Sequence, residues 1–200
     1  MSNRTICLIN DSFPPVTDGV ANAVVSYGRA ITESGSRAVV ATPAYPGADD
    51  SGFSFPVVRY PSIDMTKLVG YHAGFPFSEK TMQTLMEYPF DLIHCHCPIT
   101  SAVLARELRA RIHVPAVFTY HTKFDIDIAN AIHAKLLQEG AKKLLVDNIS
   151  AFDEVWTVSH GAGENLRSLG YQGDWRVMPN GVDFARGRVP EEDVRAVCRD

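Results

Sequence analysis

Along this chain short apolar runs alternate with segments whose apolar positions recur every three to four residues. Residues 5–10 (TICLIN), 37–42 (RAVVAT), 57–60, 91–95 (DLIHC), 116–120 (AVFTY), 154–158 (EVWTV) and 175–178 are runs of strand length. Between them lie helical patterns. Val20, Val24, Tyr27 and Ile31 share one face, and Gly35 stops that helix. Ser78-Glu79 opens a short helix through about Glu87. Pro98 is expected to start another over 98–112, with Val103, Leu104 and Leu108 turned inward. Residues 127–152 read as helix with a break at Gly140, and 162–169 as a last helix. Residues 61–77 read as one long loop. Continuous apolar strands alternating with helices predict an α/β fold. Its sheet is parallel and doubly wound, with helices on both faces. After Pro179-Asn180-Gly181 the pattern changes to ARGRVPEED, a polar stretch. Residues 1–184 are therefore expected to be one domain, and 185–200 a linker with the start of a second.

Two hundred residues, 46% of them hydrophobic and 21% charged, suffice for one substantial core. A net charge of −4 argues against nucleic acid as the main partner. No run of about 18 apolar residues is present, and the first ten residues are too short and polar for an export signal. A reducing cytoplasm is expected, with no disulfide framework among Cys7, Cys95, Cys97 and Cys198.

The ends of the strands carry the candidate chemistry. In an open α/β sheet, ligands bind outside the carboxyl ends of the strands. Asn10, His96, His121 and Ser159 are all expected there, bordering one cleft. His121 follows a β-rich run directly, so a rigid strand aims it; as a loop residue it is expected to contribute little to the core. Asp18-Gly19 opens the first long helix, whose free amides and dipole suit a phosphate. The plainer reading is a helix cap supplied by Thr17 or Asp18. Neither G-x-G-x-x-G nor a P-loop is present, which argues against a nicotinamide dehydrogenase and a P-loop NTPase. His94-Cys95-His96-Cys97 looks like a metal cluster, but adjacent strand residues point to opposite faces. No metal is expected. Lys123 and Asp125 follow His121 and read as a solvated face or as contacts to a polar substrate. Tyr71, Phe75 and Phe77 either fold under their loop or form an apolar lip for a substrate; the core reading is preferred.

The stretches NDSFPPVTDGVANAV, DLIHCHCPITSAVLAREL, VPAVFTYHT and VWTVS…VMPNGVDF occur in this order. In them the chain resembles the N-terminal domain of retaining GT-B glycosyltransferases of family 4, over about residues 4–184. YHTKFDID brings it nearest to members that glycosylate lipids, diacylglycerol glucosyltransferases and phosphatidylinositol mannosyltransferases.

The resemblance implies a Rossmann-like domain forming the N-terminal half of a two-domain enzyme. The cleft between the domains holds a nucleotide-sugar, which is a substrate, so no cofactor is implied. It implies that Gly19 meets the donor diphosphate through its amide, with Asp18 orienting that loop or the acceptor. It places His121 on the transferred hexose, and His96, Lys123, Asp125 and Tyr71 on the acceptor side. Some lipid-glycosylating relatives carry a glutamate near Asp125. The acceptor is a sugar or a lipid, and a lipid would bring peripheral contact with the inner face of the membrane. Basic residues of a C-terminal domain in the same chain would neutralise the diphosphate without a metal. This sequence stops before the pair of glutamates that such a domain carries, and the 200 residues alone are expected not to transfer sugar. A stand-alone Rossmann-like binding module, or a subunit of a split transferase, is the alternative.

Overall fold

The computed structural model describes residues 3–66, 72–122, 124, 128, 135–181, 190–192 and 195. Seven strands form one parallel sheet: β1 (Thr5–Ile9), β2 (Arg37–Pro43), β3 (Val57–Tyr60), β6 (Leu92–Cys95), β7 (Ala116–Tyr120), β8 (Glu154–Thr157) and β9 (Arg176–Val177). Their spatial order is β3-β2-β1-β6-β7-β8-β9. The order reverses between β1 and β6, which makes their carboxyl ends the topological switch point of the sheet. Residues 61–77 are not one loop. They contain a two-stranded antiparallel hairpin, β4 (Ser62–Asp64) and β5 (His72–Gly74). Three-residue strands are too short for alternation to show in a sequence.

The described helices are α1 (Gly19–Glu33), α2 (Glu79–Met86), α3 (Thr100–Ile112), α4 (Lys135–Ile149) and α5 (His160–Ser168). Helix α3 starts two residues after Pro98, and its Val103 is only half-buried. Helix α4 runs through Gly140 without a break, because a single glycine costs a helix only about 1 kcal/mol relative to alanine.

The two faces of the sheet are covered unequally. Cys7, Ile9, Val39, Ala41, Ile93, Cys95, Phe118 and Val155 face α2, α3, α4 and α5, which contribute Met82, Leu85, Leu104, Leu108, Leu145, Ile149 and Leu166 to one large core. On the other face Leu8, Ala38 and Val40 pack with Val24 of α1 and with Phe13 and Phe55. Among the described helices only α1 covers that face. The register aligns Val40, Leu8, His94 and Val117 across four strands of it. Phe75 and Phe77 lie outside both cores, 48% and 67% exposed, with their rings edge to face. The preference for core placement of these two rings was wrong, because the hairpin turns them outward.

Asp11, just beyond β1, is buried and ties the halves of the sheet together. Its carboxylate accepts from the Ser101 amide at 2.8 Å, the Ser101 hydroxyl at 2.6 Å, the Thr100 amide at 3.2 Å and the Thr100 hydroxyl. Tyr60 on β3 donates to the same oxygen at 3.3 Å. Helix α3 has no side-chain cap of its own, so a residue 89 positions away supplies the acceptor and the negative charge its N-terminus needs.

Two stability measurements follow. Asp11→Ala leaves the buried Ser101 amide without its acceptor and the Ser101 hydroxyl with only the Tyr60 hydroxyl at 3.5 Å, and should cost about 2 kcal/mol in urea unfolding. Gly28→Ala should also destabilise, although alanine is the better helix former by about 1 kcal/mol. A Cβ there would sit 2.6 Å from two ring carbons of buried Phe55, and overpacking of this kind costs about 1–3 kcal/mol. A lower urea midpoint at unchanged slope is the expected reading.

Candidate functional site

Strand period two places His94 and His96 on the same side of β6, and Val117, Thr119 and His121 on the same side of β7. All five lie on the face that α1 covers. The rings of His94 and His96 are tilted against each other by 36° with centroids 4.0 Å apart, and those of His96 and His121 lie 5.2 Å apart. His96 Nδ1 and His121 Nε2 are hydrogen-bonded at 2.9 Å. At the other end of the row His94 Nε2 bonds Thr119 Oγ1 at 2.7 Å. Tyr27 of α1 closes the row from above, its ring 5.2 Å from His94 and 5.3 Å from His96. Trp156 of β8 meets His94 edge-on at 5.1 Å.

The N-terminus of α1 borders this row. Asp18 is the helix cap, with its Oδ1 accepting from the Ala21 amide at 2.7 Å. Its carboxylate lies close enough to His121 to raise that ring's proton affinity. The Asn22 amide bonds the Asp18 carbonyl at 3.1 Å, so the amides of Gly19 and Val20 have no partner within the helix. Gly19 is exposed, and a Cβ built on it meets nothing within 4 Å. Packing within the described residues does not require a glycine there, and space is open above the first turn.

The residues singled out in the sequence therefore fall into three groups. Asp18, Gly19, His96 and His121 come together at the carboxyl ends of β6 and β7. Asn10 and Ser159 follow their strands but serve the fold: Asn10 Nδ2 donates to the Ser12 carbonyl at 2.7 Å, and Ser159 caps α5 at Ala162. Lys123, Asp125 and Tyr71 lie outside the described residues. His121 contributes more to the interior than a loop residue would, because its Nε2 is bonded to a ring that is 1% exposed. Sequence reasoning missed Tyr27 as the cover of the row and Asp11 as the cap of α3. The row itself had a signal in the alternate histidines of His94-Cys95-His96. Cys95 points into the opposite core, where its thiol donates to the Cys97 carbonyl at 3.2 Å. Among the described residues no group of three His, Cys, Asp or Glu is placed to hold a metal ion. No helix among them is long and apolar enough to cross a membrane.

Residues 17–186 match the model of a family described as Glycosyltransferase Family 4. The chain is 21% identical over 188 residues to an alpha-monoglucosyldiacylglycerol synthase of Streptococcus pneumoniae (strain ATCC BAA-255 / R6), covering 93% of this chain and 42% of that protein. It is 27% identical over 120 residues to a GDP-mannose-dependent alpha-mannosyltransferase of Corynebacterium glutamicum, covering 58% of this chain and 29% of that one. The chain thus spans less than half the length of either relative. Among solved structures, an alpha-glucosyltransferase in complex with UDP and a 13-mer DNA matches with a TM-score of 0.54 at 12% identity, over 92% of this chain and 44% of that chain. The catalytic domain of starch synthase IV from Arabidopsis thaliana, bound to ADP and acarbose, matches with a TM-score of 0.53 at 12% identity, over 92% of this chain and 52% of that chain. The sheet architecture is the Rossmann-like one of GT-B glycosyltransferases.

Burial sets the charge state of the row. It pushes His94 down to about 3, with His121 as a weaker second cause. Burial likewise holds His96 well below its ordinary range, helped by His94 and then His121. His121 is lowered to about 4 by burial, against the opposing pull of Asp18. All three rings are neutral at pH 7. An unfolded chain takes up these protons near pH 6.5, whereas the folded row refuses them. Stability should therefore be fully present above about pH 6.5 and fall as pH drops toward 4. The slope is on the order of 1.4 kcal/mol per pH unit for each depressed histidine. The lowered carboxylates Asp49, Asp64, Glu79 and Asp91 have ordinary values of 3.8 or 4.5, so their contributions are lost only at lower pH. Urea unfolding between pH 5 and 7.5 isolates the histidines, and His94→Phe should flatten the slope.

Proposed function

Because the chain belongs to Glycosyltransferase Family 4, we infer that it is the acceptor-side half of a hexosyltransferase that uses a nucleotide-sugar donor. The observation that carries this reading is the meeting of two features at the sheet edge. One is the open N-terminus of α1 at Asp18-Gly19; the other is the neutral His121 beside it. The donor diphosphate lies against the first-turn amides of α1, where the missing Cβ of Gly19 permits close approach. Its remaining charge is met by a second domain across the cleft, so the 200 residues alone do not turn over. In the domain division we propose, residues 1–184 are the N-terminal domain and 185–200 lead into that second one.

In the reaction, the bond from the anomeric carbon to the diphosphate oxygen breaks. An acceptor oxygen bonds that carbon from the same face, with retention, and the acceptor's proton passes to the departing diphosphate. The His121 backbone carbonyl sits near the anomeric carbon and stabilises its developing positive charge. The His121 side chain holds a hexose hydroxyl. His96, Lys123, Asp125 and Tyr71 belong to the acceptor side. A lipid acceptor is proposed, from the YHTKFDID stretch and from the relative named for monoglucosyldiacylglycerol. It would be reached from the cytoplasmic face of a membrane.

The test uses the complete transferase, with UDP-glucose and GDP-mannose as donors and with diacylglycerol or phosphatidylinositol vesicles or free sugars as acceptors. His121→Gln keeps a hydrogen-bonding partner for His96 and so preserves the fold, but removes the imidazole contact to the hexose. It should lower kcat by about a hundred- to a thousand-fold while nucleotide affinity stays near normal. Gly19→Ala should leave Tm unchanged and weaken donor binding about tenfold or more, a loss of roughly 1.4 kcal/mol. Unchanged kcat in His121→Gln removes His121 from the reacting centre, and transfer to free sugars alone removes the lipid acceptor.

A further inference from the structure

Tyr120 ends β7 and points away from His121. Strand period two puts its ring in the core on the opposite face of the sheet, where it is fully buried. Phe124 belongs to that face too, with its ring centroid 5.7 Å from that of Tyr120. The chain has only His121, Thr122 and Lys123 in which to pass from one face to the other. The Tyr120 side chain holds the far end of that crossing. The Phe124 amide donates to the Tyr120 hydroxyl at 3.3 Å, and the hydroxyl donates to Asn165 Oδ1 on α5 at 2.7 Å. A backbone N–H can only donate, so the phenol oxygen accepts at Phe124 and its single proton is left for Asn165. A phenylalanine would fill the same volume in this core. Packing therefore does not call for the hydroxyl, whereas the bonds to Phe124 and Asn165 do.

The near end of the crossing is tied as well. The Tyr120 carbonyl accepts from the Val158 amide at 3.3 Å, and the His121 ring is bonded to His96 at 2.9 Å on the α1 face. The His121 carbonyl lies between the two ends. A planar peptide unit whose flanks are both tied keeps one orientation, and releasing one flank lets it turn about the neighbouring φ and ψ. We propose that Tyr120 is a positioning residue: its hydroxyl, directed by Asn165, anchors Phe124 and so holds the His121 carbonyl in one orientation toward the reacting carbon. The role in transfer rests on the reading of His121 as the residue at the anomeric carbon; the anchoring of Phe124 does not. Catalysis by a positioned carbonyl depends on fractions of an ångström, so a loosened flank is felt in the rate.

Hydrogen exchange of the complete transferase, read on its peptides by mass spectrometry, follows the anchor. Tyr120→Phe keeps the ring and removes the hydroxyl. Exchange at the Phe124 amide should then quicken about tenfold, while the peptides of β1 and β6 keep their rates. Asn165→Ala leaves the phenol without the acceptor that directs it and should give a smaller change of the same sign. Tyr120→Phe should lower kcat about tenfold at near-constant donor KM, and Asn165→Ala should lower it less. Unchanged Phe124 exchange in Tyr120→Phe, or acceleration spread evenly over the sheet, overturns the anchoring. Local acceleration with normal kcat, in a transferase whose kcat His121→Gln does lower, overturns the positioning role. If kcat is untouched by both Tyr120→Phe and His121→Gln while Phe124 exchange still follows the hydroxyl, the reading of His121 falls and the anchor stands.

Discussion

The carboxylate of Asp11 is the contact on which the rest of the site depends. It stands one residue past the adjoining loop residue Asn10, at the reversal of strand order, and binds the first residues of α3 through four donors. Burying a carboxylate is costly unless its oxygens are satisfied. Here the donors come from a helix start that has no cap of its own, so each side removes the other's penalty. The consequence is geometric. The loop after β1 is drawn toward the core of α3, and the residues after β6 pass beside it. His96 thereby remains in register with His94, its amide bonded to the Ile9 carbonyl at 2.9 Å.

On the opposite face the sheet trades apolar packing for a row of rings. His94, His96, Thr119 and His121 occupy positions where hydrophobic residues fill the other face. The row survives burial because its members are neutral and hydrogen-bonded to one another. Neutrality suits a hydrogen-bonding role at pH 7, since a neutral imidazole has one donor and one acceptor and can pass a directional choice along a chain of contacts. The same burial makes the row sensitive to mild acid.

Most of the architecture was legible in the residues. The seven sheet strands and the helices after them follow from apolar run length and helical spacing, because those patterns reflect local geometry. The hairpin of β4 and β5 was not legible, and the outward turn of Phe75 and Phe77 went with it. Three-residue strands leave no period to read, and aromatic rings carry no mark of the side on which a hairpin will turn. The start of α3 was also misplaced, since its cap comes from Asp11 and not from a neighbour in sequence.

The sequence by itself determined the parallel α/β class, the placing of His96 and His121 each at the end of its own strand and the capped start of α1 at Asp18-Gly19. Each is a consequence of short-range spacing. Only the tertiary structure decided that β6 and β7 are neighbours, that Asp11 spans to α3 and that α1 brings Tyr27 and Asp18 over the histidines. Strand order and helix placement are set by how the whole core packs, and no local pattern encodes which two strand ends will lie side by side. The 2.9 Å bond between two histidines 25 residues apart exists only because that packing makes it.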